Sequence, residues 1–347
     1  MAKIDFYTIS KEEKEAVFNA IAGDKGMKPF AVEKDWWVSR TLEIIFQMSI
    51  AKHLVFKGGT SLSKAWKLIN RFSEDIDLAI DKEIFITPQN NWSRGELSKL
   101  RIKAGDYSTG IFFKELQAAF SSKGYTDITF KVIEAKDSDQ DPRIIEIYYP
   151  HIIESEGYLI PRVQVEIGCR SLREPFTVRS FGSLVDETYA GSDFAMPFFD
   201  VPTVNPERTF LEKLFLLHEE FSKPIEKIRI DRLSRHMYDL YHLDKAGISA
   251  LAINDKELYE TIVTHRHTFT KVSGVDYNHH NPKTISPLPQ PEIITEWQDD
   301  YSKMKEDMIY DESKPSFDDL ISNLNNLKSQ LQAIEWEFEL SFPIPNS

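Results

Sequence analysis

The residues with the clearest capacity for chemistry lie in one stretch, FKGGTSLSKAWKLINRFSEDIDLAID, at positions 56–81. Its last part has the composition of a short strand. Alternate side chains of a strand share a face, so Asp75 and Asp77 point the same way. Two carboxylates at that spacing repel each other unless a cation lies between them. Their oxygens suit Mg²⁺ or Mn²⁺, whereas the alternative interpretation is a polar strand edge that faces water.

Two glycines precede this strand, where a turn between a strand and a helix is predicted. Because they have no Cβ, Gly58 and Gly59 let the backbone approach a ligand closely and direct N–H groups at an anion. An ordinary tight turn would also explain the glycines alone. Followed one helix later by the paired aspartates, they indicate a phosphate-binding turn beside a metal-binding face. Further hydroxyl and ammonium groups of this turn belong to Lys57, Thr60, Ser61 and Lys64.

A third carboxylate comes from the strand predicted at 162–168. Apolar residues alternate there with polar ones, so Glu166 lies on the face opposite to Val165. If this strand neighbours residues 75–80, Glu166 completes a site for two metal ions, an arrangement that serves in-line displacement at phosphorus. A glutamate that faces solvent is an equally compatible interpretation.

The spacing of apolar residues predicts the elements that must position these groups. A capping-box pattern, Ser10 with Glu13, opens a helix over 11–21, and a second helix is predicted over 32–48. The helix after the glycines has its apolar positions at Leu62, Trp66 and Ile69. Further strands are predicted at 54–56, 75–80, 126–134, 143–149 and 162–168, and further helices at 206–221, 231–244, 292–309 and 316–334.

Strands with interspersed helices, followed by a run of helices, predict an α+β (mixed α/β) fold. Its expected form is a mixed sheet flanked by helices, with a helical C-terminal region. The expected organisation is a helical segment over 1–50, an α/β core over 51–204 and a mainly helical domain over 205–347. A long loop is expected over 272–291.

The composition is that of a folded protein. Of the 347 residues, 41% are hydrophobic and 12% are aromatic, which excludes a disordered chain. The net charge of −13 argues against wholesale wrapping of nucleic acid, so DNA is not an expected partner. No apolar run approaches the length of a membrane span, and the start of the chain lacks the apolar core of a signal peptide. We therefore expect a cytoplasmic protein with no membrane partner.

Cysteine and histidine form no recognisable metal-binding pattern. A single cysteine, Cys169, excludes an internal disulfide and a cysteine-based zinc site. His265, His267 and the pair at 279–280 lack the spacing and the local carboxylates of a zinc site. These histidines are expected on loops and at the surface.

The glycine turn and the aspartate strand together carry a family resemblance. KGGTSLSK at 57–64, followed by RFSEDIDL at 71–78, closely resembles the AbiEii/AbiGii toxin family of the DNA polymerase β-like nucleotidyltransferase superfamily. Two later segments are also similar to that family, RTFLEKL at 208–214 and RHMYDL at 235–240. The resemblance extends from about residue 35 over most of the chain, and it implies a sheet of the nucleotidyltransferase type.

The resemblance implies transfer of a nucleoside monophosphate from an NTP to an acceptor, with release of pyrophosphate. It implies that Asp75 and Asp77 bind Mg²⁺ or Mn²⁺, with Glu166 as the third metal-binding and catalytic carboxylate. Lys213 would contact phosphate, and Asp239 matches an essential acidic position of the family. The resemblance implies that Gly58, Gly59, Thr60 and Ser61 hold the triphosphate. Lys57, Lys64 and Arg235 are further expected nucleotide-binding residues.

The same resemblance implies the toxin of a toxin–antitoxin or phage-defence pair, with a cognate antitoxin as partner. Relatives with this fold modify tRNA ends, proteins or small molecules. A tRNA acceptor is therefore favoured by the resemblance, and a protein acceptor is the second expectation.

Simpler explanations exist for the residues on the later helices. Lys213 flanks an apolar stripe and could extend to water over the core. Arg235 and Asp239 are four residues apart, which suits a plain ion pair within one helix. Two other functions are also compatible with the sequence: transfer of the γ-phosphate instead of the nucleotide, and a non-catalytic module that binds NTP or a partner.

Overall fold

The computed structural model describes residues 4–73, 75–87, 92–154, 160–310 and 314–344. The chain divides into two compact units. The first contains Met1–Trp66 and Phe72–Val204, and the second contains Lys67–Arg71 and Asn205–Ser347. Five residues between the glycines and the aspartate strand therefore belong to the second unit.

Seven strands of the described ranges form a mixed sheet in the first unit. They are β1 (Leu54–Lys57), β2 (Asp75–Ile80), β3 (Thr129–Val132), β4 (Arg143–Tyr148), β5 (Arg162–Gly168), β6 (Phe176–Phe181) and β7 (Phe199–Val204). Their order is β3-β4-β5-β2-β1-β7-β6. Strand β2 is antiparallel to β1 and parallel to β5, and β1 is parallel to β7. The predicted mixed sheet is confirmed.

Helices cover this sheet. Those of the first unit are α1 (Lys11–Lys25), α2 (Pro29–Gln47), α3 (Gly58–Lys64), α4 (Arg94–Tyr107), α5 (Phe113–Ser122) and α6 (Leu184–Thr188). Helix α1 begins with the predicted capping box of Ser10 and Glu13. The prediction for α3 was wrong at both ends. The glycines form its first turn rather than a separate turn before it, and it ends at Lys64 rather than continuing through Ile69.

The second unit is helical over most of its described residues. Its helices are α7 (Pro206–Phe221), α8 (Ser234–Lys245), α9 (Ile248–Asn254), α10 (Lys256–His265), α11 (Ile294–Asp307) and α12 (Phe317–Gln332). Helix α7 matches its predicted range, and α9 and α10 were not predicted. No helix of the described ranges combines the length and apolar character that a membrane span requires.

A buried ion-pair network holds α7 against the end of α10. The Glu219 carboxylate pairs with the guanidinium of Arg266 and lies 3.2 Å from His280 Nε2. His280 is fully buried and stacks on the Tyr277 ring at 4.7 Å. The expected surface position was therefore wrong for His280. The physical reason is its partner, because Glu219 offers an acceptor that the local sequence around His280 does not show.

Acid should destabilise this second unit. Burial raises the pKa of Glu219, but the charge of Arg266 outweighs it and lowers the pKa from 4.5 to about 2. The stabilisation is therefore complete above pH 4.5 and is lost as the pH falls towards 2. Burial also lowers the pKa of His218 from 6.5 to about 3, so protonation of the unfolded chain below pH 6.5 favours unfolding. Both effects lower the free energy of unfolding as the pH is lowered.

The test is chemical denaturation of the Glu219→Gln variant and the unaltered protein between pH 7 and pH 3. We expect the stability difference between them to shrink by about 2 kcal/mol between pH 7 and pH 3, since each unit of pKa shift is worth roughly 1.4 kcal/mol and the native pKa is not yet reached at pH 3. The exposed residue Glu226 provides the matched control, since Glu226→Gln should differ from the unaltered protein by a constant amount. A difference for Glu219→Gln that does not vary with pH would contradict the assignment.

Candidate active site

Three carboxylates lie on one face of the sheet, on adjacent strands. In β2 the apolar side chains of Ile76 and Leu78 are buried, and Asp75 and Asp77 lie on the opposite, partly open face. The parallel pairing of β2 with β5 places Glu166 directly across from Asp77. The sequence did not determine which strand lies beside β2, and in the structure that strand is β5.

The electrostatics of this face follow from three like charges held close together. Burial raises the pKa of Glu166 to about 7, and the charges of Asp77 and Asp75 add to the effect. On the other side of β2, Lys57 of β1 is paired in register with Asp77, and its Nζ lies 3.9 Å from Asp77 Oδ1. Lys57 therefore offsets part of the negative charge of Asp77.

These carboxylates fit a small divalent cation by donor type. Hard cations such as Mg²⁺ prefer carboxylate oxygens and bind through one or two of them together with substrate phosphates. Within the described ranges, no three His, Cys, Asp or Glu side chains are arranged as a ready-made ligand set. Two observations instead indicate that this face suits a divalent cation. Asp75, Asp77 and Glu166 lie on the same face, and a cation would relieve the repulsion between their charges.

Gly58 is packed directly against the central carboxylate. Its φ is +82°, a left-handed conformation that L side chains rarely adopt. A Cβ at this position would lie 2.1 Å from Asp77 Oδ2. The sequence predicted a close approach of this glycine to a ligand, and the group that Gly58 closely approaches in the structure is the side chain of Asp77. Gly58 leaves room for this carboxylate at the start of α3.

The hydroxyls of the next two residues are used inside the fold. Thr60 is fully buried and donates to the carbonyl of Asp75 at 2.5 Å, which ties α3 to β2. Ser61 is also fully buried and donates to the carbonyl of Gly58 at 2.8 Å. Both residues are buried as a whole, so neither is exposed to a nucleotide in this structure. Gly59, between these residues and Gly58, is partly exposed.

Lys64, at the end of α3, is placed in a buried ion pair. Its ammonium group pairs with Asp35 on α2, and the second oxygen of Asp35 accepts the N–H of Leu184 at 2.7 Å. The structure therefore shows Lys64 linking α3 to α2. Asp35 was not singled out from the sequence, because nothing in the local pattern of α2 shows which residue faces α3.

In the second unit, Asp239 of α8 lies at the centre of a buried charge cluster. Its two oxygens accept from Arg71 Nε and Nη2 at 2.7 and 2.8 Å, and Lys213 Nζ of α7 lies 2.9 Å from Oδ2. Burial acts to raise the pKa of Asp239, but the charges of Arg71 and Lys213 outweigh it and hold this pKa well below its usual range. His236 completes the cluster, with its Nδ1 3.3 Å from Lys213 Nζ.

The structure thus places Lys213 and Asp239 in direct contact, although the sequence suggested separate roles for them. Burial lowers the pKa of Lys213, and Asp239 acts in the opposite direction. Arg235, one helical turn before Asp239, lies close enough to contribute its charge to Lys213. Arg71 stands in the family-like segment but was given no role from the sequence. Its two charge-assisted bonds to a carboxylate 168 residues away identify it as part of this cluster.

The sequence matches the family of AbiEii nucleotidyltransferase toxins of type IV toxin–antitoxin systems over residues 40–323. The chain belongs to this family. It is therefore a nucleotidyltransferase that uses an NTP, and the matched range includes the carboxylate face, Gly58 and the Asp239 cluster. The helix α1 and the first turns of α2 lie outside the match.

Two solved structures resemble this AbiEii-family chain at low sequence identity. The nucleotidyltransferase toxin MenT4 from Mycobacterium tuberculosis H37Rv is 17% identical, with 94% of this chain and 100% of that chain covered and a TM-score of 0.41. JHP933 from Helicobacter pylori is 14% identical, with 87% and 91% covered and a TM-score of 0.41. These likenesses are too distant to assign a role to any residue. No curated protein matches the chain.

Replacing Gly58 with alanine should impair transfer far more than the strain of its backbone explains. The added Cβ would displace the Asp77 carboxylate, and misplacement of a reacting group by about 1 Å can lower a rate roughly 100-fold. Gly124 is a matched control, because its φ is +84° and a Cβ there would meet nothing within 4 Å. We expect Gly58→Ala to lower the transfer rate about 100-fold and Gly124→Ala to leave it unchanged. Equal rates for the two variants, measured by labelled-NTP transfer, would refute the contact.

Proposed function

We propose that this AbiEii-family enzyme transfers a nucleoside monophosphate from an NTP to tRNA and depends on Mg²⁺ or Mn²⁺. The observation that carries the proposal is the register of β2 and β5, which sets Glu166 beside Asp77 on the face that also holds Asp75. Two or three carboxylates on one open face, beside a backbone that no Cβ obstructs, are suited to binding a cation and its phosphates.

The proposed chemistry needs no covalent enzyme intermediate. When bound, the divalent cation would lower the pKa of the acceptor hydroxyl and offset the charge that develops on the phosphates. Asp75, Asp77 and Glu166 would hold it on the open face of the sheet. Lys57 would offset part of the triphosphate charge, and the backbone N–H groups at the start of α3 would orient the phosphates. Pyrophosphate would leave as the acceptor oxygen forms its bond to the α-phosphorus.

The family resemblance implies phosphate contact by Lys213, and we retain this role and the expected nucleotide binding by Arg235 as proposals. Of the three ammonium hydrogens of Lys213, two are directed at Asp239 and His236, so one remains for an anion. Because Asp239 is fully buried, we propose a different role for it than the one expected from the sequence. A fully buried carboxylate held by two cations serves best as the anchor of Arg71 and Lys213, and we propose this role in place of a reacting acid.

The acceptor and the biological setting are proposed from the resemblance. Relatives with this fold include enzymes that modify tRNA ends, so tRNA is the favoured acceptor, with a protein as the second candidate. As a member of a toxin family, the chain is proposed to act with a cognate antitoxin and in phage defence. The net charge of −13 neither selects nor excludes a tRNA acceptor.

The test is incubation of the purified protein with Mg²⁺ or Mn²⁺, total cellular RNA and each α-labelled NTP in turn. The control is the Asp75→Ala/Asp77→Ala double variant. Label entering a tRNA-sized band only with the unaltered enzyme would support the proposal and name the nucleotide. Transfer of label from a γ-labelled NTP instead would show that the enzyme is a phosphotransferase. Label entering protein in a lysate would show that the acceptor is a protein and not tRNA. No transfer to RNA or protein would refute it in favour of a binding module.

A further inference from the structure

We infer that Gln164 is a positioning residue for the Glu166 carboxylate, an inference that rests on the metal-dependent transfer proposed above. Arg162, Gln164 and Glu166 lie on one face of β5 because they are two residues apart. The amide Nε2 of Gln164 donates to Glu166 Oε1 at 2.8 Å, and Nη1 of Arg162 donates to Gln164 Oε1 at 2.7 Å. The amide group of Gln164 is therefore held on both sides.

A buried carboxylate on the neighbouring strand anchors this arrangement. Glu146 of β4 is paired in register with Gln164 and forms an ion pair with Arg162. The hydroxyl of Tyr148 donates to the second oxygen of Glu146 at 2.7 Å. Because a guanidinium has only donors, Arg162 must face the carbonyl oxygen of the Gln164 amide. The NH₂ group of that amide is then directed at Glu166.

Glu166 needs such a restraint because two carboxylates face it across the strand. Repulsion from Asp75 and Asp77 favours rotation of the Glu166 side chain towards solvent. A hydrogen bond to Oε1 opposes that rotation and leaves Oε2 for a cation. A neutral amide achieves this without a positive charge, which would compete with the cation for the same carboxylates. Partners that orient a metal ligand typically change metal affinity 10- to 100-fold when they are replaced.

The experiment measures Mn²⁺ binding to the full-length protein in the absence of nucleotide, by the electron paramagnetic resonance signal of unbound Mn²⁺. We expect Gln164→Leu, which removes the amide but keeps similar bulk, to weaken binding roughly tenfold. The matched control is Gln47→Leu. Gln47 is also a glutamine that donates to a glutamate, Glu43 at 3.3 Å, but it is exposed at the end of α2. Its replacement should leave Mn²⁺ affinity unchanged.

A double-mutant cycle separates positioning from general damage to the fold. If Gln164 acts through Glu166, adding Gln164→Leu to a Glu166→Gln variant should weaken Mn²⁺ binding by less than about twofold. An equal loss in both backgrounds would overturn the inference, and so would unchanged or tighter binding by Gln164→Leu alone. Failure of the unaltered enzyme to bind Mn²⁺ without nucleotide would overturn this inference but not the proposed metal dependence, which the transfer assay with and without Mn²⁺ tests separately. Normal Mn²⁺ binding by Gln164→Leu would overturn only the role of Gln164.

Discussion

Replacing Asp77 with asparagine should reduce nucleotidyl transfer by at least about 10³-fold while leaving the fold intact. Asp77 is the central carboxylate of the open face, with Lys57 opposite it on β1 and Glu166 opposite it on β5. A loss of 10³ in rate corresponds to about 4 kcal/mol of transition-state stabilisation, a size expected when a charged group at the reacting phosphate is lost. The asparagine side chain retains nearly the same volume beside Gly58.

The stability of this variant provides an independent signature. Because Asp77 raises the pKa of Glu166, the two carboxylates repel each other in the folded protein. Removing one of the charges should therefore leave the melting temperature of the metal-free protein unchanged or slightly higher. If Asp77 had only a structural role, Asp77→Asn would instead lower the melting temperature. Its activity would then fall only in proportion to the fraction of protein that is folded.

The measurements are initial rates with an α-labelled NTP and thermal unfolding of the same preparations. Asp200 is a matched control, since it is an exposed aspartate on β7 of the same sheet and Asp200→Asn should retain full activity. Activity of Asp77→Asn within tenfold of the unaltered enzyme would remove the carboxylate face from the proposed mechanism.

Replacing Asp239 with asparagine should instead destabilise the protein by roughly 3–5 kcal/mol. The carboxylate is fully buried and accepts from Arg71 and Lys213, so its loss leaves two positive charges buried without their shared partner. For a unit of this size that destabilisation corresponds to a fall of roughly 10 °C in melting temperature.

Asp244 is the matched control on the same helix. Its carboxylate accepts from Ser249 and from Asn323 Nδ2, which are uncharged partners. Asp244→Asn should cost about 1 kcal/mol, the value of an ordinary hydrogen bond. A triple variant in which Asp239, Arg71 and Lys213 all become apolar should recover part of the stability lost in Asp239→Asn. A melting temperature of Asp239→Asn within 2 °C of the unaltered protein would contradict the buried cluster.

Part of the fold could be predicted because its signals are local. The two-residue period of β2 predicts that Asp75 and Asp77 share a face, whatever packs beneath them. Capping residues predict where a helix begins, as at Ser10 for α1 and at Ser316 for α12. Elements with weak local signals were missed. Helix α4 contains two glycines and has few buried residues, and β6 is an edge strand whose side chains are largely exposed.

Contacts between distant segments could not be predicted in the same way. The period of β5 shows that Glu166 faces away from the core, but only sheet pairing determines which strand lies beside it. The same limit applies to Lys64, whose ammonium group is paired with Asp35, and to His280, which is buried against Glu219. In each case the partner lies far away in the chain, and residue type alone does not identify it.

The amino-acid sequence was sufficient to predict the chemistry available to this protein: paired carboxylates on a strand, two glycines before it, and membership of a nucleotidyltransferase family. These features depend on residue type and on short spacings along the chain, and the local backbone geometry is enough to predict where such residues lie relative to one another. Long-range contacts were needed to show that Glu166 lies beside the aspartates and that Asp239 is buried between Arg71 and Lys213. Strand pairing and charge burial are properties of the whole fold, because they depend on which distant segments share the same low-dielectric interior.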